Sequence, residues 1–294
     1  MKVFRPDCQL IGAGRAGRLL CLAMTHAGYR YTWVGSKSGD DSAELAREAG
    51  IEKSGAGFED FPGRAGFLVF AVPDDEIERV AASAVHAGII GEGSIAAHLS
   101  GALGSSVLAD VASAGAAVMA FHPAQTFTAA SDPATVLHGI CFDMEGDEIA
   151  CTLGERVAED LGAVSVRLSP EARVLTHLAM TIASNYTVSL VHMAEEIIET
   201  AGVDRATAQK MLMPLVTATV ANISGLGTKK SLTGPISRGD VEIVRTHLIA
   251  LKTIDERYAR LYRDLAREAL DIAVERGSVS HEAAERIYRV LGKT

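Results

Sequence analysis

A glycine-rich segment near the amino terminus is the sharpest chemical motif in the sequence. Residues 12–17 read GAGRAG, after an apolar run typical of a β-strand and before a helical pattern. In such a G-x-G-x-x-G turn the first glycine permits a tight bend and the second lets a pyrophosphate approach the backbone. The third lets helix and strand pack closely, while N–H groups at the helix start bind the anion. The motif predicts a dinucleotide site formed by Gly12, Gly14, Arg15, Ala16 and Gly17; the alternative is a tight turn without a ligand.

The end of the second predicted strand indicates which dinucleotide to expect. Tyr31–Val34 is followed by Gly-Ser-Lys-Ser, and no acidic residue occurs before Asp40. Folds that prefer NAD usually carry an acid here, which holds the ribose 2′-hydroxyl. Ser36 and Lys37 are instead suited to a 2′-phosphate. We therefore predict NADP (as NADPH) rather than NAD; the alternative for Lys37 is an ordinary exposed lysine.

Two further strand ends carry candidate site residues. Val72 and Pro73 end the third clear strand, and Ser100 and Gly101 follow the fourth. Ligands of open parallel sheets lie beyond the carboxyl ends of the strands. We expect the first pair to touch the adenosine or ribose, and the second pair to touch the nicotinamide or the substrate.

Histidines are the natural candidates for proton transfer, because the side chain titrates near neutrality. His122 ends the predicted strand Ala117–Phe121 and precedes Pro123, which favours extended backbone at the same sheet edge. It is suited either to donating a proton to a substrate or to ordering its loop. His98 lies within an apolar strand, so we predict a buried, structural ring.

The elements that position these residues alternate along the first half. Apolar strand patterns alternate with helical patterns, which predicts an α/β fold with a mostly parallel sheet covered on both faces. The predicted strands are Cys8–Ile11, Tyr31–Val34, Gly66–Val72, Ser94–Leu99, Ala117–Phe121, Ile140–Met144 and Val164–Leu168, and the predicted helices are Arg15–Ala27, Ser42–Ala49 and Glu76–Ala87.

The second half is predicted to be all helical. Ser169-Pro170-Glu171 is a strong helix start, since serine caps, proline fits the first turn and the acid suits the positive helix end. Further helices are expected over 205–224, 241–251 and 255–275, and a last one from Ser280. We place the domain boundary between a Rossmann domain, residues 1–168, and a helical domain, residues 169–294.

Composition excludes several classes of function. The chain has 294 residues, of which 48% are hydrophobic and 22% charged, and a net charge of −9. This composition is typical of a globular protein, and the negative net charge disfavours nucleic acid as a partner. We expect no membrane partner, since no apolar stretch approaches about 18 residues. We expect no signal peptide, because the first residues have no long apolar run. The sequence has no metal-binding spacing and no G-x-S-x-G elbow. Four scattered cysteines fit a reducing cytoplasm.

Six motifs together resemble one protein family: GAGRAG, AVPDDEI, HLSGALGS, FHPAQTF, SNYTVSL and TGPISRGD. The chain resembles Rossmann-like proteins with a C-terminal domain of unassigned function. More broadly it is similar to ketopantoate reductases, β-hydroxyacid dehydrogenases and pyrroline-carboxylate reductases. The resemblance implies an NADP-binding Rossmann domain, an all-helical second domain, a homodimer built mostly by the helices and a small 2-oxo acid as substrate.

The resemblance also implies roles on the first long helix. The related reductases carry a lysine and an asparagine four residues apart; Asn185 matches the asparagine, but Thr181 stands in place of the lysine. A threonine is a poor proton donor near neutral pH. His177 lies one helical turn earlier and completes a polar stripe. We therefore expect His177 to donate the proton, with His122 as the rival, Asn185 and Ser100 to orient the reacting group, and Thr181 to line the substrate site. The alternative for His177 is a helix histidine bonded to a carbonyl.

Arg238, in the segment TGPISRGD, is the candidate for holding a substrate carboxylate, because a guanidinium fork fits a carboxylate in two bonds. The alternative is a surface arginine paired with an acid. Asp240 is expected to cap the next helix. The sequence thus predicts a cytoplasmic NADP-dependent oxidoreductase that transfers a hydride between nicotinamide and a small oxo or hydroxy acid. The alternatives are a non-catalytic dinucleotide-binding regulatory module and an NADP:deazaflavin oxidoreductase.

Overall fold

A computed structural model describes residues 5–58 and 60–292, and strands and helices alternate along the first half of these residues. In chain order the elements are β1 (Cys8–Ile11), α1 (Arg15–His26), β2 (Tyr31–Ser36), α2 (Asp40–Ala49), β3 (Ser54–Ala56), β4 (Phe67–Phe70), α3 (Ile77–His86), β5 (Ile95–His98), α4 (Ala109–Ser113), β6 (Ala117–Pro123), β7 (Cys141–Gly146), α5 (Glu148–Asp160) and β8 (Val164–Arg167).

The strands form one eight-stranded sheet in the order β3-β2-β1-β4-β5-β6-β7-β8. Neighbouring strands pair in parallel except β6 and β7, which pair antiparallel. The first six positions have the strand order of a doubly wound nucleotide-binding fold. The predicted α/β class with a mostly parallel sheet is confirmed.

The apolar strands are continuous because both faces of the sheet are covered. Along β4 the side chains alternate between the faces: Phe67 and Val69 enter one apolar cluster, and Leu68 and Phe70 enter the other. The first cluster includes residues of α1 and α5, and the second includes residues of α3. All four apolar residues of β4 are therefore buried.

Helices make up the regular structure of the described chain after β8, as predicted. They are α6 (Pro170–Thr200), α7 (Arg205–Leu226), α8 (Thr228–Ser231), α9 (Pro235–Arg238), α10 (Val241–Ile254), α11 (Glu256–Glu275) and α12 (His281–Leu291). A third apolar cluster holds α10, α11 and α12 together through side chains such as Val244, Leu270 and Ile287.

Helix α6 begins as its sequence predicts: Ser169 Oγ accepts a hydrogen bond from Ala172 N at 3.3 Å, and Pro170 occupies the first turn. Two compact units divide the chain within this helix, one ending at Ser184 and the other starting at Asn185. The division falls later than the expected boundary after residue 168, because the first turns of α6 pack with the sheet through Arg173.

One helix of the described residues, α6, is long and apolar enough to cross a membrane by length and composition. Its most apolar 18-residue window has a mean hydropathy of 1.2, and none of that window is buried. This corrects the expectation that no stretch would reach that length. A single such helix is weak evidence for a membrane span.

Candidate functional site

The turn between β1 and α1 has the backbone that its glycines predict. Gly12 has a φ of +102°, and its N–H donates to Gly35 O at 2.8 Å. A Cβ on Gly12 would lie 2.2 Å from Ala71 O, and a Cβ on Gly17 would lie 2.2 Å from Gly12 O. Neither position admits a side chain, so these two glycines allow β1, α1 and the end of β4 to come together.

Gly14 has a different role in the same turn. A Cβ placed there meets no atom within 4 Å, and Gly14 caps α1 without a side-chain hydrogen bond. The first-turn N–H groups of a helix lack intrahelical partners and carry the positive end of the helix dipole. Open space at this point, with Arg15 exposed beside it, fits an approaching diphosphate.

A cavity of about 670 Å³ lies beside the turn. It brings together five expected cofactor residues: Gly12, Ser36, Lys37, Val72 and Pro73. The other expected cofactor residues, Gly14, Arg15, Ala16 and Gly17, do not line it.

Two further residues line the same cavity and were missed from the sequence. Phe58 contributes an aromatic ring, and Arg79 contributes a guanidinium whose Nε donates to Glu76 Oε2 at 2.8 Å. Arg79 lies in the first turn of α3, six residues after the strand end at Pro73. That spacing is the only signal in the sequence that places it there.

The two residues expected at a 2′-phosphate, Ser36 and Lys37, differ in whether their polar groups already have partners in the chain. Ser36 Oγ accepts hydrogen bonds from Gly39 N and Ser42 N, both at 3.2 Å, so its oxygen orders the start of α2. Only its hydroxyl hydrogen remains to donate. Lys37 is exposed and makes no ion pair with any residue in the described ranges. Of these two residues, Lys37 is therefore the one available to bind an anion.

Ser100 is held by its own loop and by the segment after β4. Its hydroxyl donates to Asp74 Oδ2 at 2.8 Å and accepts from Ala102 N at 3.2 Å and Leu103 N at 3.1 Å. One hydrogen and two lone pairs are thereby used. Ser100 therefore orders the loop after β5, and all the hydrogen-bonding positions of its hydroxyl are occupied; the substrate contact and catalytic role expected of it stay predictions.

His98 is the structural ring that its apolar strand predicts. It is fully buried; Nδ1 accepts from Ser100 N at 3.2 Å, so Nε2 carries the hydrogen and donates to Gly104 O at 3.1 Å. Burial lowers its pKa to about 4, which keeps the ring neutral at physiological pH.

His122 occupies a more chemically capable arrangement at the end of β6. Its Nδ1 lies 2.7 Å from Asp143 Oδ2, and the other oxygen of Asp143 accepts from Arg173 Nη1 at 2.8 Å. The Asp143 and Arg173 side chains are 6% and 1% exposed, whereas His122 is 17% exposed. The carboxylate thus fixes the hydrogen on Nδ1 and leaves Nε2 to exchange a proton.

Sequence reasoning missed Asp143 and Arg173. Asp143 is the acid in the otherwise apolar stretch Cys141–Met144, and an acid inside a buried strand is a usable signal. Arg173 had no such signal, because a charged residue in the first turn of a helix is usually solvated.

His177 lies next to His122 across Gly101. The two ring centroids are 6.0 Å apart, with the planes at 76°. A Cβ on Gly101 would lie 2.6 Å from His177 Nδ1 and 2.8 Å from His122 Nε2. Both imidazoles therefore converge on a position that only glycine leaves free. His177 Nδ1 is buried and has no hydrogen-bond partner within the described part of the chain.

The remaining expected substrate residues lie further along α6 and in the segment before α10. Thr181 follows His177 by one turn of α6 and is half-buried; Asn185 is exposed and begins the second compact unit. Arg238 is exposed and donates from Nε to Asp240 Oδ2 at 3.0 Å. This ion pair is the one that the alternative interpretation of Arg238 describes, and the carboxylate contact stays a prediction. Asp240 precedes α10, but its side chain makes this ion pair rather than the expected cap.

Among the described residues, no group of three or more His, Cys, Asp or Glu side chains is arranged to hold a metal ion.

Comparison with protein families agrees with this architecture. A Rossmann-like domain matches residues 1–123, which contain the glycine turn and His122. A domain of unknown function, DUF2520, matches residues 140–269, which contain Asp143, Arg173 and His177. The chain therefore combines a Rossmann-like domain with this C-terminal domain of unknown function, as the resemblance indicated. No curated protein matches it.

Solved structures share the fold over most of their length. A protein from Thermotoga maritima and a candidate NADP oxidoreductase from Bacteroides fragilis each match with a TM-score of 0.72 at 22% identity, covering 91% of this chain and 98% of theirs. A pyrroline-5-carboxylate reductase from Coxiella burnetii matches with a TM-score of 0.56 at 15% identity, covering 93% of this chain and 99% of its own. At these identities the likeness establishes the fold.

Proposed function

We propose that this protein is an NADP-dependent oxidoreductase that transfers a hydride between nicotinamide and a small oxo or hydroxy acid. The observation that carries the proposal is the 2.7 Å contact between His122 and the buried Asp143. His122 lies at the carboxyl end of β6, and strand β1 of the same sheet ends at the open glycine turn. Ligands of such sheets bind beyond the carboxyl ends of the strands, so one edge holds both a diphosphate site and a proton-transfer group.

Different residues of the chain bind different parts of the coenzyme. The N–H groups at the start of α1 bind the diphosphate in the space that Gly14 leaves open. Lys37 binds a 2′-phosphate in the adjoining cavity. Arg79 also binds this phosphate, after its guanidinium releases Glu76. When bound, the nicotinamide supplies or accepts the hydride.

His122 moves the proton that accompanies the hydride. In the direction of reduction, a carbonyl carbon gains the hydride, and His122 Nε2 donates a proton to the carbonyl oxygen to give an alcohol. In the reverse direction Nε2 accepts that proton. We prefer His122 to His177, because Asp143 fixes the tautomer and orientation of His122, while Nδ1 of His177 has no partner in the described chain.

The names of structural neighbours support this class of reaction. They include the candidate NADP oxidoreductase from Bacteroides fragilis, the Coxiella reductase and a reductive aminase from Aspergillus terreus bound to NADPH, which matches with a TM-score of 0.56 at 17% identity. The choice of a small oxo acid rests on the resemblance to ketopantoate reductases.

The test combines binding and turnover. Calorimetry with NADPH and NADH measures the coenzyme preference, and loss of reduced-nicotinamide absorbance with a panel of oxo acids, imines and a deazaflavin measures the reaction. We expect binding of NADPH and consumption with an oxo acid. Binding without any turnover would favour the regulatory module, and turnover with the deazaflavin alone would favour the third alternative.

We also propose that a second copy of this chain covers α6 and α7. Both helices expose many large apolar side chains, and exposed apolar surface on this scale marks interaction sites. They are Val174, Leu175, Leu178, Ile182, Tyr186 and Val188 on α6, and Met211, Met213, Leu215, Val220, Ile223 and Leu226 on α7.

Light scattering after gel filtration tests this assembly. We expect a dimer for the wild type and a monomer for Leu215→Glu. Ile149→Glu, at an equally exposed apolar position of α5, is the control and stays dimeric. A monomeric wild-type protein at micromolar concentration would contradict the proposal.

A further inference from the structure

We propose that Arg173 is a positioning residue of the proton-transfer site, acting through Asp143 on His122 and through the backbone on Gly101. The proposal rests on the function proposed for His122. Its evidence is the set of contacts made by one almost completely buried guanidinium.

Arg173 joins three parts of the chain that are distant in sequence. Its Nη2 donates to Ser100 O at 2.6 Å, its Nε donates to Leu103 O at 3.0 Å, and its Nη1 donates to Asp143 Oδ1 at 2.8 Å. A guanidinium presents its N–H donors in a rigid plane, so three simultaneous bonds fix the relative positions of their acceptors. A single side chain of α6 therefore ties the loop after β5 to the carboxylate of β7.

These bonds set the geometry around His122. Gly101 lies between the two loop carbonyls that Arg173 holds, and both imidazoles approach it closely. Asp143 has one oxygen on Arg173 and the other on His122, so its carboxylate cannot rotate without breaking a charge-assisted bond. Arg173 thus controls both the partner of His122 and the loop against which its ring packs.

Arg173 also balances the charge beside His122. The groups that face the ring are Asp143 from β7, Arg173 and His177 from α6, and the backbone of Gly101. Without the guanidinium, a buried carboxylate would have His122 as its sole cationic partner and would hold a proton on the ring. A ring that retains its proton cannot accept one from an alcohol, so the balance keeps His122 able to work in both directions.

The experiment uses Arg173→Met, Arg173→Lys and, as the control, Arg167→Met, which removes an arginine paired with surface acids. Proton NMR follows the titration of His122 in the full chain without coenzyme, with the signal assigned by loss in His122→Gln. In Arg173→Met we expect the titration midpoint of His122 to rise by about one pH unit or more. Arg167→Met leaves it unchanged. An unshifted midpoint in Arg173→Met would overturn the proposal.

Arg173→Lys separates charge from geometry. An ammonium keeps the charge but cannot reach three acceptors in the guanidinium plane. We expect a midpoint within a few tenths of a pH unit of the wild type, a kcat lower by about 10-fold or more and an unchanged NADPH affinity. A wild-type kcat in Arg173→Lys would contradict the positioning role, and this variant carries the test if Arg173→Met does not fold. If no substrate turns over, the proposed function fails, while the NMR comparison still decides whether Arg173 controls His122.

Discussion

Replacing Gly101 by alanine tests the packing of the site most sharply. A Cβ there would lie 2.6 Å from His177 Nδ1 and 2.8 Å from both Cε1 and Nε2 of His122, whereas ordinary contact begins at 3.4 Å. Each ring must therefore move by about 0.6 to 0.8 Å, or the loop must retreat by a similar distance. The loop cannot retreat freely, since Arg173 holds it on both sides of Gly101.

A shift of this size has two measurable effects. Overpacking of a well-packed site costs about 1–3 kcal/mol, so we expect the free energy of unfolding to fall by that amount. Misplacement of a reacting group by about 1 Å can cost about 100-fold in rate, so we expect kcat to fall by about 30- to 100-fold, with NADPH affinity unchanged. Urea unfolding, steady-state kinetics and calorimetry measure the three quantities.

The control for this substitution is Gly225→Ala in α7, where a Cβ meets no atom within 4 Å. It should lose neither stability nor activity. A Gly101→Ala protein with wild-type kcat would refute the convergence of the two imidazoles on Gly101 as a feature of the working site.

Four other predictions address separate parts of the account. Gly14→Val fills the open space at the start of α1, so calorimetry should detect no NADPH binding by a protein that keeps its circular dichroism spectrum; unchanged affinity would reject the diphosphate site. Lys37→Glu should weaken NADPH by about 10- to 100-fold and NADH much less, and an equal effect on both would reject the preference for NADP. His122→Gln should lower kcat by about 100-fold or more with NADPH affinity retained, and His177→Ala should have the smaller effect; the reverse order would exchange their roles. Burial lowers the pKa of His98 from 6.5 to about 4, so between these pH values the unfolded chain binds a proton at His98 that the folded chain does not. The free energy of unfolding should therefore fall as the pH drops through this interval, and it should fall less in His98→Gln. Identical pH profiles of stability for the two proteins would contradict this role of His98.

Local patterns predicted most of the fold because most of its strands and its longer helices have their own signal, although α4 and α5 were missed. The glycine turn, the buried strand Phe67–Phe70 and the Ser169 cap of α6 all follow from adjacent residues. Strand β3 was missed, since Ser54–Ala56 is a three-residue edge strand without an apolar alternation. The antiparallel pairing of β7 was also outside the reach of periodicity, because both orientations bury the same side chains.

The site was only partly predictable, since its bonds join residues far apart in sequence. His122 and Gly101 followed from strand ends, but Asp143 and Arg173 meet across 30 residues, and no local pattern links them. For Ser100 no local pattern indicated that its hydroxyl makes three bonds, one to Asp74 after β4 and two to the backbone of its own loop. A strand-end position predicts proximity to a ligand, but it does not predict which hydrogen bonds are already made.

The central claim is that the chain transfers a hydride from NADPH to a carbonyl carbon while His122 supplies the proton. NADPH carrying deuterium at the transferable position of the nicotinamide tests this directly, with mass spectrometry of the alcohol formed from a small oxo acid. We predict a product that carries the deuterium on its carbinol carbon, formed at least about 100-fold more slowly by His122→Gln. NADPH bound by the folded protein without transfer of deuterium to any oxo acid would contradict the account.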